Sequence, residues 1–379
     1  MRAASIGDYR ALAKARLPHF LFEYLDGGAH GETTLARNRS DLDAVQLRQR
    51  VMRDVSAIDL STELFGERLA MPVALGPIGL SGLMARRGEV QAARAAAKAG
   101  VPFCLSAMSA CSIGEVKAAR VPFWFQLYML RDRGFMRELL GVAREAGVSR
   151  LVFTVDMPVP GTRYRDYRSG LAGAPGLSGD ARRVWQGMLR PGWAWDVGLM
   201  GRPHSLGNVA AALGSKSSLS DFFAWMRGNF DPTATWKDLE WLRAEWKGPL
   251  ILKGVLEAED ALSAAKIGAD GVIVSNHGGR QLDGARSTAA ALPEIATAVG
   301  GKLKVLADGG VRSGLDVVKL LALGADAVLL GRAWAFGLAG GGEQGVAHVL
   351  ELLRAEMGVT LALCGVTGVG EISGKMLAP

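Results

Sequence analysis

Residues 249–280 read PLILKGVLEAEDALSAAKIGADGVIVSNHGGR. The stretch opens on an apolar run, Pro249–Gly254. An alanine-rich segment with scattered charges follows, Glu257–Ile267, then Gly268, and then a second apolar run, Gly271–Asn276. The apolar runs are continuous rather than alternating, as expected of strands buried on both faces. The segment between them has helical spacing, and Gly268 sits where a left-handed C-cap belongs. The unit therefore reads strand, helix, strand, and it repeats outward in both directions. Leu323-Gly324-Ala325-Asp326-Ala327-Val328 restates Ile267-Gly268-Ala269-Asp270-Gly271-Val272, and Lys98-Ala99-Gly100-Val101-Pro102 is a third version. Apolar runs occur at Pro72–Gly76, Pro102–Ser106, Pro122–Tyr128, Leu151–Asp156, Pro249–Gly254, Gly271–Asn276, Leu303–Gly309 and Asp326–Arg332, and Gly follows the helical segments Arg86–Ala99, Asp132–Ala146, Glu257–Ile267 and Gly314–Leu323 or their last turn. Eight strand–helix units predict an α/β fold, the (β/α)8 barrel. The rival, an open doubly wound sheet, calls for a glycine-rich dinucleotide turn after the first strand. Leu75-Gly76-Pro77-Ile78-Gly79 does not supply one.

Two segments stand outside the repeat. Residues 1–70 are polar, with helices expected at Asp8–Ala15 and Phe20–Leu25, and read as an N-terminal cover over the base or side of the barrel. Ala172–Pro232, after the fourth strand, is an insert of 61 residues with four of the nine tryptophans (Trp185, Trp193, Trp195, Trp225) and six Lys plus Arg against four Asp. Setting both aside leaves about 250 residues, the size of one barrel, so the expectation is a single domain over 1–379.

The 379 residues carry a net charge of +7, with 21% charged and 49% hydrophobic residues. That composition permits a full core and excludes extended disorder. The charge excess is diffuse and shows no aromatic-interleaved basic stripe, which argues against nucleic acid as a partner. Cys104, Cys111 and Cys364 form neither a disulfide framework nor a zinc pattern, so no metal is expected and a reducing compartment is. Charges break up residues 1–15, against a signal peptide. The longest uncharged run, Leu69–Ala85, holds two prolines and falls short of the ~20 residues of a spanning helix.

In a barrel the chemistry lies at the C-terminal ends of the strands. In strand order those ends carry Gly76–Gly79; Ser106; Gln126 and Tyr128; Thr154 and Asp156, then Arg163; Lys253; Ser275–Arg280; Asp308–Arg312; and Gly331-Arg332. The last two turns, around Gly309, Gly310 and Gly331, expose backbone N–H groups at helix starts, each with an arginine (Arg312, Arg332), which is a phosphate-binding chemistry. A single turn of this kind reads equally well as a tight βα connection; two side by side favour the anion. His277 suits an acid–base role, with Arg280 as a carboxylate clamp. Asp156 could orient that imidazole, although alone it reads as a loop cap. Lys253 suits either a Schiff-base nucleophile or a positive charge beside an electron-rich ring.

The run Ser275-Asn276-His277-Gly278-Gly279-Arg280-Gln281-Leu282-Asp283-Gly284 resembles the signature of the FMN-dependent 2-hydroxy-acid oxidising family. So do Phe20–Ala29, Trp124–Tyr128 and Phe153–Pro158, and the likeness spans nearly the whole chain. Pro160–Asp166 and Trp193–Leu199 are most similar to the membrane-associated bacterial L-lactate dehydrogenases within it. The resemblance implies that His277 takes a proton from the substrate and that Asp156 stabilises the imidazolium. It implies that Arg163 and Arg280 clamp the substrate carboxylate, with Tyr24 and Tyr128 as hydrogen-bonding partners; Arg165, two residues on, leaves open which arginine reaches it. Pro77, Ile78, Gly79, Ser106, Gln126, Thr154, Lys253, Ser275, Asp308, Gly309, Gly310, Arg312, Gly331 and Arg332 are the implied FMN set. The implied reaction is oxidation of an L-2-hydroxy acid, L-lactate to pyruvate, with electrons passed to a membrane quinone. Oxygen as acceptor and glycolate or mandelate as substrate are the alternatives. The Trp-rich insert suits a membrane interface, so the expected place is peripheral, on the cytoplasmic side of the inner membrane, and the family implies a homotetramer. Competing readings are an FMN barrel acting on another substrate, a flavin-free Lys253 aldolase, and a silent scaffold.

Overall fold

The sheet order decides between the two α/β candidates. In the computed structural model, which describes residues 3–172, 177–201, 207–214 and 219–378, a short antiparallel pair, β1 (Thr62–Leu64) and β2 (Glu67–Leu69), precedes eight parallel strands. These are β3 (Val73–Leu75), β4 (Cys104–Ser106), β5 (Trp124–Tyr128), β6 (Leu151–Thr154), β7 (Leu250–Val255), β8 (Gly271–Val274), β9 (Lys304–Asp308) and β10 (Ala327–Leu330). The order β3-β10-β9-β8-β7-β6-β5-β4 joins the first strand to the last. The remaining seam, between β3 and β4, is bridged at Leu75–Phe103, where Leu75 N–H donates to Pro102 O at 2.8 Å. The chain is a (β/α)8 barrel, and each strand falls within the apolar run that predicts it, except that β7 runs one residue further, to Val255. The helices end at left-handed glycines as expected, Gly100, Gly147, Gly268 and Gly324 all having positive φ.

Strand pleating sorts the side chains. Cys104, Trp124, Val152, Ile251, Ile273 and Leu306 fill the lower interior of the barrel together with Ala74, Ala327 and Leu329. Side chains alternate faces along a strand, so the next inward positions are two residues on: Ser106, Gln126, Thr154, Lys253, Ser275 and Asp308. Every one of these is polar, and together they make the upper layer. One period-two rule thus produces an apolar floor and a chemical ceiling. The intervening residues, Phe125, Leu127, Phe153, Leu252 and Ala307 among them, pack against the helical shell.

The N-terminal segment departs from expectation in two ways. It does cover the base: the β1–β2 turn places Phe65 edge-on to Trp124, ring centroids 6.2 Å apart. It also reaches the opposite, C-terminal rim. Besides helices at Ile6–Arg16 and His19–Asp26, where two were expected, a third runs from Thr33 to Ala44. Its buried residues are Thr34, Asn38 and Leu42, so its inward stripe is mostly polar and gives no hydrophobic periodicity to read. It has no side-chain N-cap of its own. Instead Thr34 and Gly31 N–H donate to Asp283, from the far end of the signature run. The insert is helical where described, with helices at Leu177–Met188, Pro191–Trp193 and Leu219–Asn229. Residues 173–176, 202–206 and 215–218 of it lie outside the described residues.

Candidate active site

A cavity open to solvent on one side lies over the upper layer. Of the residues singled out from the sequence, Tyr24, Pro77, Ile78, Gly79, Tyr128, Thr154, Arg163, Lys253, His277, Arg280, Asp308, Gly309, Gly310, Arg312, Gly331 and Arg332 line it. Asp156, Ser106, Gln126 and Ser275 stand behind that wall. Ser106 Oγ donates to Gln126 Oε1 at 2.9 Å, and Gln126 Nε2 donates to Thr154 Oγ1 at 3.0 Å. This buried chain leaves little rotational freedom to the amide beneath the cavity floor.

His277 is fixed from two sides. Its Nδ1 lies 3.1 and 3.2 Å from the two oxygens of Asp156. A carboxylate only accepts, so Nδ1 carries the proton and Nε2 is the free acceptor. Burial pushes the imidazole below its ordinary pKa of 6.5; Asp156 pulls it back up, and Lys253 and Arg163 push it down again. For Asp156, burial opposes ionisation, but the His277 contact together with the charge of Lys253 holds the carboxyl below its usual range. The Asp156 side chain occupies the space where a Cβ would stand on Gly254, whose φ is +103°. No other residue fits there, and the β7–β8 register shifts at the same point. Gly254 is a site residue the sequence reading passed over, hidden among many turn glycines.

Lys253 is buried, with Nζ 2.9 Å from Asp308 Oδ2 and donating at 2.9 Å to Ser275 Oγ. Burial works against its charge, but Asp308 and Asp156 more than compensate and raise its pKa. A protonated amine is a poor Schiff-base nucleophile, which argues against the aldolase reading. The other oxygen of Asp308, Oδ1, is buried with no partner among the described residues.

The two candidate arginines after β6 separate cleanly. Arg165 is committed to Glu23, Asp26 and Glu32. Arg163 faces the cavity, 3.5 Å from Asp166. Arg280 lies 4.9 Å over the Tyr24 ring and donates to the Tyr24 and Gly27 carbonyls. Arg332 donates to Leu25 O, Gly278 O and Gly27 O, so it ties the N-terminal segment to the His277 loop. Burial lowers Arg280 to about 10, with Arg163 adding repulsion, and lowers Arg312 to about 10, with Arg39 adding repulsion. Cations crowded this way are short of an anion.

Those observations bear on whether a flavin mononucleotide fits. The glycine turns and crowded guanidinium groups call for a phosphate, and the orphaned Asp308 Oδ1 calls for a hydroxyl donor such as a ribityl chain carries. Lys253 and the Ser106–Gln126–Thr154 chain offer donors along one edge of a polar ring. The residues fit the group. The sequence reading missed the apolar side of the cavity, where Met108, Met157 and the insert's Phe222, Phe223 and Met226 stand. Helical spacing alone gives no sign that residues 222, 223 and 226 face a site whose nearest other lining residue, Lys253, lies 27 positions on.

A barrel whose upper rim combines a His–Asp pair, a buried lysine and four cavity-lining arginines fits a flavin-dependent hydroxy-acid enzyme. The profile of the FMN-dependent dehydrogenases matches residues 13–379, and the chain belongs to that family, with FMN as its cofactor. It is 62% identical to the L-lactate dehydrogenase of Caulobacter vibrioides over all of this chain and 98% of that one. It is 60% identical to the L-lactate dehydrogenase of Xanthomonas campestris pv. campestris, over all of this chain and 97% of that one. Among solved structures it superposes on the monotopic membrane protein (S)-mandelate dehydrogenase with a TM-score of 0.93 and 39% identity, covering both chains completely.

Proposed function

We propose that the protein oxidises L-lactate to pyruvate and passes the electrons to a membrane quinone. The observation that carries the reading is the His277–Asp156 pair opening onto a cavity that also presents Arg163 and Arg280. A 2-hydroxy acid that becomes a 2-oxo acid loses two electrons and two protons. FMN supplies the two-electron acceptor. The protein supplies the rest. Arg163 and Arg280 neutralise and orient the carboxylate. Tyr24 and Tyr128 take the hydroxyl end. His277 Nε2 accepts a proton, and Asp156 stabilises the imidazolium that results. Lys253, held protonated by Asp308, places positive charge beside the acceptor, where negative charge grows during the reaction. The relatives named L-lactate dehydrogenase support the substrate. The apolar wall of Phe222, Phe223 and Met226, with the likeness to (S)-mandelate dehydrogenase, supports bulkier acids as the second reading.

For the acceptor and location, the insert's surface is the argument. Trp185 is 59% and Trp195 64% exposed, and Val184, Met188, Leu189, Leu199 and Met200 are exposed beside them, with Arg182 adjacent. Trp at an apolar, basic surface suits the lipid interface. No helix among the described residues is long and apolar enough to cross a membrane. The reading is a protein that lies on the cytoplasmic face of the inner membrane, as a homotetramer.

The test is spectroscopic. Purified protein is expected to be yellow and to bleach without oxygen on adding L-lactate, and to recover its colour faster with a quinone than with air. A colourless protein trapped by borohydride with a keto acid would establish the aldolase instead. Comparing kcat/KM for L-lactate, glycolate and (S)-mandelate decides the substrate.

A further inference from the structure

The proton-accepting histidine stands on an unfavourable backbone. His277, Gly278 and Gly279 have φ of +57°, +64° and +73°, three successive left-handed residues. Glycine takes that conformation freely, but a histidine does so at a cost and only where its surroundings enforce it. The neighbouring contacts show what enforces it here. His277 N–H donates to Ser275 Oγ at 3.0 Å. Gly279 N–H donates to both the backbone and the side-chain oxygen of Asn276, each at 3.0 Å. The Asn276 side chain is therefore the inner peg of the turn.

That peg is held by a residue from outside the barrel. Asn38, on the helix Thr33–Ala44, donates from Nδ2 to Asn276 Oδ1 at 2.8 Å, and Asn276 Nδ2 donates to Asn38 Oδ1 at 2.7 Å. Both amides are buried, at 2% and 4% exposure. A reciprocal amide pair fixes both planes at once, because rotating either sets donor against donor. Thr288 N–H also donates to Asn38 Oδ1, and Asn276 Nδ2 to Arg286 O. The helix itself is anchored independently of this pair: Arg39 bonds Gly310 O and Asp316, and Lys319 Nζ donates to the carbonyls of Leu42 and Asp43.

We infer that Asn38 is a positioning residue for catalysis: through its amide pair with Asn276 it holds the left-handed turn that presents His277 to the substrate. The helix Thr33–Ala44 thereby serves catalysis without touching substrate. The inference rests on the reading of His277 as the proton acceptor. That reading is tested separately, by L-lactate bleaching of the protein with Asn38 intact and by its loss in His277→Gln.

The experiment compares Asn38→Ala, Asn276→Ala, the double variant and Leu42→Ala, all purified as holoenzymes. Leu42 is buried on the same helix one turn beyond Asn38, so its truncation reports loss of packing alone. In Asn38→Ala, kcat is expected to fall 10-fold or more while KM for L-lactate moves less than 3-fold and FMN stays stoichiometric by its visible spectrum. The double variant is expected to match the slower single variant, since the two amides act as one unit. Leu42→Ala is expected to lower Tm with kcat within 2-fold of the parent. The inference is overturned if kcat of Asn38→Ala stays within 2-fold of the parent, if Leu42→Ala slows turnover equally, if the single effects multiply, or if Asn38→Ala loses its FMN. Should Asn38→Ala not fold, Asn38→Ser, too short to reach Asn276, is held to the same outcomes.

Discussion

At the scale of single residues, the working groups are those whose protonation the barrel controls. His277 must be neutral to accept a proton. Burial, Lys253 and Arg163 lower its pKa while Asp156 raises it, and the net shift is downward. The neutral form therefore persists below the ordinary imidazole range. kcat/KM for L-lactate is expected to rise with pH along an acid limb centred below 6.5 and then level off, as a pH–rate profile would show; a limb centred above 7 contradicts the burial argument. His277→Gln is expected to keep FMN and lose about 10²–10⁴-fold in kcat, and retention of most activity would sink the assignment. Lys253 makes a prediction on stability. Removing one member of a buried ion pair leaves the other uncompensated, so Lys253→Met is expected to cost about 3 kcal/mol in denaturant unfolding of the apoprotein.

At the scale of elements, the loop after β9 shows how close backbone approach is built. Gly310, at φ +80°, sits against the Asn38 carbonyl so tightly that a Cβ there would overlap it. Gly310→Ala must displace either the turn or the helix Thr33–Ala44, and it is expected to weaken FMN binding at least 10-fold in apoprotein titration while the rest of the barrel still folds. The insert's helix Leu219–Asn229 acts on the other wall. Phe223 borders the cavity with its ring edge-on to Phe222. Phe223→Ala is expected to shift the ratio of kcat/KM toward (S)-mandelate over L-lactate. An unchanged ratio would show that this wall does not meet the substrate's side group.

At the scale of the molecule, the barrel rim and the exposed apolar surface of the insert belong to one chain-wide arrangement, in which the segment after β6 supplies both a cavity wall and the candidate membrane surface. Replacing Trp185, Met188 and Trp195 together by Gln is expected to move the protein from the pellet to the supernatant with anionic vesicles, leaving L-lactate bleaching intact. Vesicle binding equal to the parent would remove the membrane from the proposal. The three positions are exposed and lie outside the charged part of the site.

The amino-acid sequence by itself determined the strands, the helix ends and most of the rim. Each rests on local physics: continuous apolar runs, glycines past helix ends, and polar residues at strand termini where a core filler is expected. Lys253 and Asp308 stand out in that way without any knowledge of their partners. The tertiary structure alone decided how those residues are used. It commits Arg165 to three carboxylates and leaves Arg163 to the cavity. It requires glycine at 254 because Asp156 fills the space. It turns a polar helix with no readable period, Thr33–Ala44, into a brace for the His277 turn. Those outcomes depend on contacts between segments 98 to 238 residues apart, and no local pattern encodes which distant side chain will complete a buried polar group.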